Sequence, residues 1–118
     1  ASEAVRGILS CWRASEQLGA RGPDGRGRWL AGGLVAALID DAFGALANTH
    51  MRSIGRSGNI VTAFLELEGV RAVPLPAVLV CAVAVEQQEN RKIVLRGKVF
   101  RAAPADALER VCIAKALF

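Results

Sequence analysis

The stretch AGGLVAALIDDAFGALANTH, residues 31–50, decides the fold. Its Ala and Leu content predicts a helix running to about residue 47. One apolar row on that helix runs Leu34, Leu38, Ala42 and Leu46, and another runs Val35, Ile39 and Phe43. A helix that is apolar on nearly every side has to be enclosed by other elements, so it is expected to be the central buried helix of the domain.

Downstream of the helix the chain reads as strands. β-Branched and alternating residues predict strands over 60–70, 77–86, 92–102 and 110–118, after a polar loop over 51–59. Pro74 and Pro76 fall in the first connection between strands, residues 88–91 in the second and 104–107 in the third. Short connections between consecutive strands imply antiparallel pairing. The class is α+β, an antiparallel sheet wrapped around one helix. Upstream, Val5, Ile8, Leu9 and Trp12 recur at helical spacing over residues 2–18, with Ser2 as N-cap and Gly19 as terminator, which predicts an N-terminal amphipathic helix. The segment GARGPDGRGR, residues 19–28, reads as a loop that propagates neither helix nor strand.

With 118 residues, 53% hydrophobic and 22% charged, the chain accommodates a single domain, residues 1–118, with a real core. Its longest apolar run, residues 72–85, contains two prolines and falls short of the roughly 18 residues that a membrane span needs. The net charge of +4 comes from scattered Arg and Lys, and there are only two Trp, four Phe and no Tyr, so a nucleic-acid platform is disfavoured. Three cysteines, Cys11, Cys81 and Cys112, form no C-x-x-C pair and have no neighbouring His. They signal neither a disulfide framework nor a metal site, and are expected to be buried small hydrophobes in a reducing compartment, cytoplasm or organelle interior.

Two carboxylates in the middle of the apolar helix need an explanation, because a buried unpaired charge is costly. Successive helical residues diverge by about 100°. Asp40 therefore shares a stripe with Gly33, Ala36, Ala37, Gly44 and Ala47, whereas Asp41 lies with Leu34, Leu38, Ala45 and Asn48. The small side chains around Asp40 leave room for a substrate or a partner; pairing with an Arg, or capping a loop, is the plainer alternative. Gly32 and Gly33 open the same helix, where the first N–H groups lack intrahelical partners and can stabilise an oxyanion. Asp40 lies roughly 12 Å along the axis from Gly32, at about 1.5 Å per residue. One thioester or ester cannot touch both on one helix, so a joint reaction requires two antiparallel copies with the site between them.

The AGGLVAALIDDAFG segment resembles the HGG-x6-D stretch of hotdog-fold acyl-CoA thioesterases of the phenylacetyl-CoA and thioesterase superfamily member type. NIVTAFLELEGVRAVPL is similar to the next strand of that family, and RKIVLRGKVF and VCIAKALF to its closing strands, so the resemblance covers about residues 29–118. It implies hydrolysis of an acyl-CoA with no metal and no bound cofactor, in a homodimer or homotetramer whose sheets pair edge to edge. It also assigns roles. Asp40 matches the catalytic carboxylate, as general base or nucleophile; Gly32 matches the amide that polarises the carbonyl; Thr62 matches the hydroxyl residue that orients water. Gly33 and Ala31 fall at the substrate, and Ala31 stands where the family usually has His. The Asn often found near Gly25 is missing as well.

Arg71, Arg91, Lys92 and Arg96 are candidates for the coenzyme A phosphates, since Arg and Lys bind phosphate. His50 reads as a solvated residue just beyond the helix. The competing function is a non-catalytic acyl-CoA or lipid-binding or assembly module on the same fold.

Overall fold

The computed structural model describes residues 6–15, 17, 19–21, 28–30, 32–56, 60–89, 92–103 and 107–118. Its elements in chain order are β1 (Gly7–Ala14), β2 (Gly19–Arg21), β3 (Arg28–Leu30), α1 (Gly32–Ser53), β4 (Phe64–Glu68), β5 (Ala77–Glu89), β6 (Lys92–Ala102) and β7 (Leu108–Leu117). Five strands form one antiparallel sheet in the order β1-β5-β6-β7-β4, and α1 lies on one face of it.

The helix extends beyond residue 47 because its buried row continues. Val35, Ile39, Ala42, Phe43, Leu46, Ala47 and His50 are all buried. It ends where Gly55 takes a positive φ of 78°, with the Gly55 N–H bonded to Arg52 O and the Arg56 N–H to Met51 O. That bond pair is the Schellman pattern, which favours glycine at the left-handed position. The expected loop therefore starts after Ser53, and His50 belongs to the last turn.

Enclosure is one-sided. Leu34, Ala37, Asp41 and Ala45 face outwards, Leu34 with 40% of its surface exposed. The expectation of a helix covered on every side is thus not met within a single chain. On the sheet side, Ile39, Phe43 and Leu46 pack with Leu79, Val83, Leu95, Val99 and Ala114. Gly97 makes this contact possible: a Cβ there would stand 2.8 Å from Val83 Cγ1 and 3.1 Å from two ring carbons of Phe43.

The expected helix over residues 2–18 is replaced by β1, which pairs with β5 from Gly7↔Ala84 to Ala14↔Ala77. The sequence GILSCWRA contains Gly and several residues that lose side-chain freedom in a helix, so its intrinsic helical preference is low. Against that, β5 offers a long ladder of unsatisfied donors and acceptors, and pairing half-buries Ile8 and Ser10 and buries Ala14 on the helix side. The non-local pairing wins over the local period. The segment expected to be all loop over 19–28 also contributes β2, which pairs with β3 from Gly19↔Leu30 to Arg21↔Arg28. β3 is held a second time, by Leu30 N–H to Val73 O and Leu75 N–H to Arg28 O.

Of the four expected strands, 92–102 coincides with β6. The first is shorter than 60–70, the second runs on to Glu89, and the last starts at Leu108. Cys81 and Cys112 are buried as expected, but Cys11 is exposed, because it lies on the outer face of the edge strand β1. No described helix is long and apolar enough to cross a membrane.

Candidate active site

Asp40 sits in the middle of α1 and is half-buried. The chain leaves α1, turns back over residues 60–63 and enters the edge strand β4. Ala63 is fixed by its N–H bond to Leu117 O, 2.8 Å away, which ties this segment to the end of β7. Its neighbour Thr62 thereby reaches the helix, and Thr62 Oγ1 donates to Asp40 Oδ1 at 2.7 Å. Two of the residues expected at a site are therefore joined directly, although 22 positions apart. Asp41 points outwards and is exposed.

Gly32 and Gly33 form the first turn of α1, as expected, and both are exposed. That turn carries no acidic side chain to neutralise its N–H groups. Among the described residues a Cβ at either glycine would meet nothing within 4 Å, so none of them demands glycine there. The helix keeps Gly32 and Asp40 at the axial separation of roughly 12 Å expected from the sequence.

The basic residues are not gathered. Arg71 is exposed, and its N–H bonds Val111 O near the start of β7; Lys92 opens β6, where Ile93 pairs with Phe118 beyond the other end of β7. At about 3.3 Å per residue these ends lie roughly 20 Å apart, so Arg71 and Lys92 do not share one phosphate site within a chain. Arg96 is engaged on the outer sheet face with Glu86, at 3.1 Å, and Glu86 also meets Lys115 at 4.0 Å. Ala31 and Arg91 lie outside the described residues.

His50 corrects the sequence reading. It is 1% exposed, and its Nε2 hydrogen-bonds Gln88 Oε1 at 2.5 Å. The signal was present, since His50 continues the buried spacing of Phe43, Leu46 and Ala47. Burial pushes the Cys81 thiol up to about 11; Cys112 adds to the shift and a hydrogen bond with Ser10 opposes it. Burial raises Cys112 too, against a backbone bond with Val99. Both thiols are held protonated and inert, so neither is a nucleophile candidate.

Residues 29–107 match the family model described as the thioesterase superfamily. The chain belongs to that superfamily. No curated protein matches it by sequence. Among solved structures, this thioesterase superfamily member is similar to the acyl-CoA hydrolase of Staphylococcus aureus in complex with butyryl coenzyme A, coenzyme A and coenzyme A disulfide. The TM-score is 0.79 at 12% identity, over 94% of this chain and 63% of that one. The chain thus spans less than two thirds of that hydrolase. It is also similar to 4-hydroxybenzoyl-CoA thioesterase from Pseudomonas sp. strain CBS-3, with a TM-score of 0.70 at 15% identity over 95% and 82% of the two chains. At such identities the likeness establishes the architecture, and the one helix against an antiparallel five-stranded sheet is the hotdog fold.

Proposed function

We propose that this chain hydrolyses an acyl-CoA thioester to the free acid and coenzyme A, with Asp40 as general base. The observation that carries the reading is the Thr62–Asp40 hydrogen bond, on the helix that opens with Gly32 and Gly33. Thr62 occupies Oδ1 and fixes the carboxylate plane, leaving Oδ2 to accept a proton from water. The water oxygen adds to the thioester carbonyl, and the developing oxyanion is stabilised by the Gly32 N–H. Collapse of the tetrahedral intermediate breaks the C–S bond. The coenzyme A thiolate recovers the proton held by Asp40, and no metal or cofactor enters this route.

Because one helix keeps Gly32 and Asp40 about 12 Å apart, the Gly32 N–H comes from a second copy. The edge strand β4 suits such a pairing: it starts beside Thr62, and Val61 and Phe64 expose 72% and 52% of their surfaces there. Gly33 and Ala31 would border the carbonyl. Arg71, Arg91 and Lys92 would meet coenzyme A phosphates, Arg71 and Lys92 from different copies.

Thiol release from acetyl-, butyryl-, octanoyl- and phenylacetyl-CoA tests the reading. Asp40→Asn should lower kcat by roughly 100-fold or more. Thr62→Val, which removes one hydrogen bond worth about 0.5–1.5 kcal/mol, should lower it by roughly two- to tenfold. Undiminished turnover in Asp40→Asn would refute the mechanism. Acyl-CoA binding without turnover by the native chain would favour the non-catalytic module.

A further inference from the structure

The sheet has a second face, turned away from α1. Along β5 the residues Leu79, Cys81, Val83 and Val85 are buried on the helix side, so Val78, Val80, Ala82 and Ala84 lie on the opposite side. The strand registers set Leu9, Cys11 and Arg13 of β1 beside Ala82, Val80 and Val78, and set Lys98 and Phe100 of β6 beside Ala82 and Val80 on the other flank. Arg110 of β7 stands opposite Phe100, and Leu108 opposite Ala102. This outer surface is apolar at its centre and yet open. Leu9, Val78 and Leu108 expose 73%, 42% and 56% of their surfaces, and Val80, Ala82 and Phe100 are half-buried. Three exposed cations are set among them, Arg13, Lys98 and Arg110, and none of the three forms an ion pair among the described residues. The carboxylates of the outer face stand apart. Glu86 lies towards the far end of β5, where it meets Arg96 and Lys115, and Glu66 and Glu68 lie on β4, Glu68 two strands away from Lys98.

We propose that this face is a docking surface for an anionic lipid bilayer, on which the chain lies without spanning it. The sign of the charge decides against a second copy of the chain as occupant, because a twofold contact would set patch on patch and cation on cation. The composition decides against a protein partner. No side chain on this part of the face carries a carboxylate, amide or hydroxyl, and the inner strands β5 and β6 are already paired on both edges. A protein interface carries about one hydrogen bond per 100–200 Å² and is poor in Lys. A bilayer surface asks for the two kinds of side chain that are present. Leu9, Val78 and Leu108 can enter the boundary between headgroups and acyl chains while Arg13, Lys98 and Arg110 meet the anionic groups of the lipids. Asp40 and Thr62 lie on the helix side, so docking leaves that pair uncovered, and the proposal does not depend on the hydrolytic reading.

Flotation of the chain with phosphatidylcholine vesicles, with and without phosphatidylserine, tests this. The chain should float with the anionic vesicles only, and rising salt should release it, since screening shortens the reach of exposed charges. Removing one cation, in Lys98→Gln or Arg110→Gln, should lower partitioning about fivefold, and removing both about 25-fold. Leu9→Ser should lower it about tenfold through lost apolar contact. All three positions are exposed, so these variants keep the fold, which circular dichroism checks. A second readout needs no substitution. Cys11 lies within the patch and is the exposed thiol of the three, Cys81 and Cys112 being buried. An environment-sensitive fluorophore on Cys11 should shift to the blue with anionic vesicles and stay unchanged with pure phosphatidylcholine. No flotation with anionic vesicles, equal flotation with neutral ones, a Lys98→Gln/Arg110→Gln chain that floats like the native one, or a Cys11 probe unmoved on floating vesicles would each overturn the proposal. Self-association lost in Leu9→Ser, without flotation of the native chain, would overturn it in favour of a second copy.

Discussion

Gly97→Ala places one carbon where α1 rests on the sheet, and the structure gives its size. The new Cβ would stand 2.8 Å from Val83 Cγ1 and 3.1 Å from Cε1 and Cζ of Phe43. Phe43 is completely buried and Val83 nearly so, so neither can swing into solvent. Forcing a carbon into a closed core costs about 1–3 kcal/mol. For a chain between the size classes for which such shifts are known, about 4 °C per kcal/mol gives a fall in Tm of roughly 4–12 °C. Far-UV circular dichroism melts at one fixed protein concentration measure it. Phe43→Leu in the Gly97→Ala background should recover part of the loss, since the two side chains share one space and their effects cannot add. A Gly97→Ala protein melting within a degree of the native one, or strict additivity in the double variant, would refute the placement of Phe43 over Gly97. Phe43 lies one turn beyond Asp40, so the same variant should also weaken catalysis by displacing the helix relative to Thr62.

The core and the site each yield one more expected outcome. Burial raises the Cys81 thiol from 9.0 in the unfolded chain to about 11. The unfolded state therefore releases this proton first as pH rises. The contribution of Cys81 to stability is complete below pH 9 and is lost through pH 11, which urea melts at pH 8 and pH 10.5 would detect as a lower midpoint at the higher value; an unchanged midpoint in native relative to Cys81→Ala would contradict it. Phe64→Glu places a charge on the exposed start of β4, beside Thr62. Sedimentation velocity should show it monomeric and thiol release should show it inactive, whereas a fully active monomer would remove the need for a second copy.

The helix was legible because its buried row, from Val35 to Leu46, repeats at an unmistakable spacing, and β6 because Lys92–Ala102 alternates between two turn-forming segments. β1 was not. Ile8, Leu9 and Trp12 fit a helical period by their positions alone, and only the unpaired edge of β5, which no local window contains, turns them into a strand. His50 misleads for a boundary reason: Asn48 and Thr49 look like the end of a helix, yet both face solvent while His50 continues the buried row. That Thr62 and Asp40 share a site is anticipated only through family resemblance, and their direct hydrogen bond is not anticipated at all, since nothing in the spacing of the two residues predicts it.

One departure of the helix from its sequence expectation bears on function. A segment apolar on nearly every side implies complete cover, and among the described residues only the side facing the sheet is covered. Of the outward residues, Leu34, Ala37 and Ala45 are apolar and exposed beside the charged Asp41. Val61 and Phe64 at the entry to β4 are apolar and exposed too, beside an edge whose donors and acceptors have no partner strand among the described residues. These two incompletely covered regions meet at Asp40 and Thr62. A second copy placed there would cover the apolar helix face, pair the open edge and bring a Gly32 N–H across the roughly 12 Å that one helix cannot close. The proposed chemistry and the unfinished packing thus call for the same partner, at the same place.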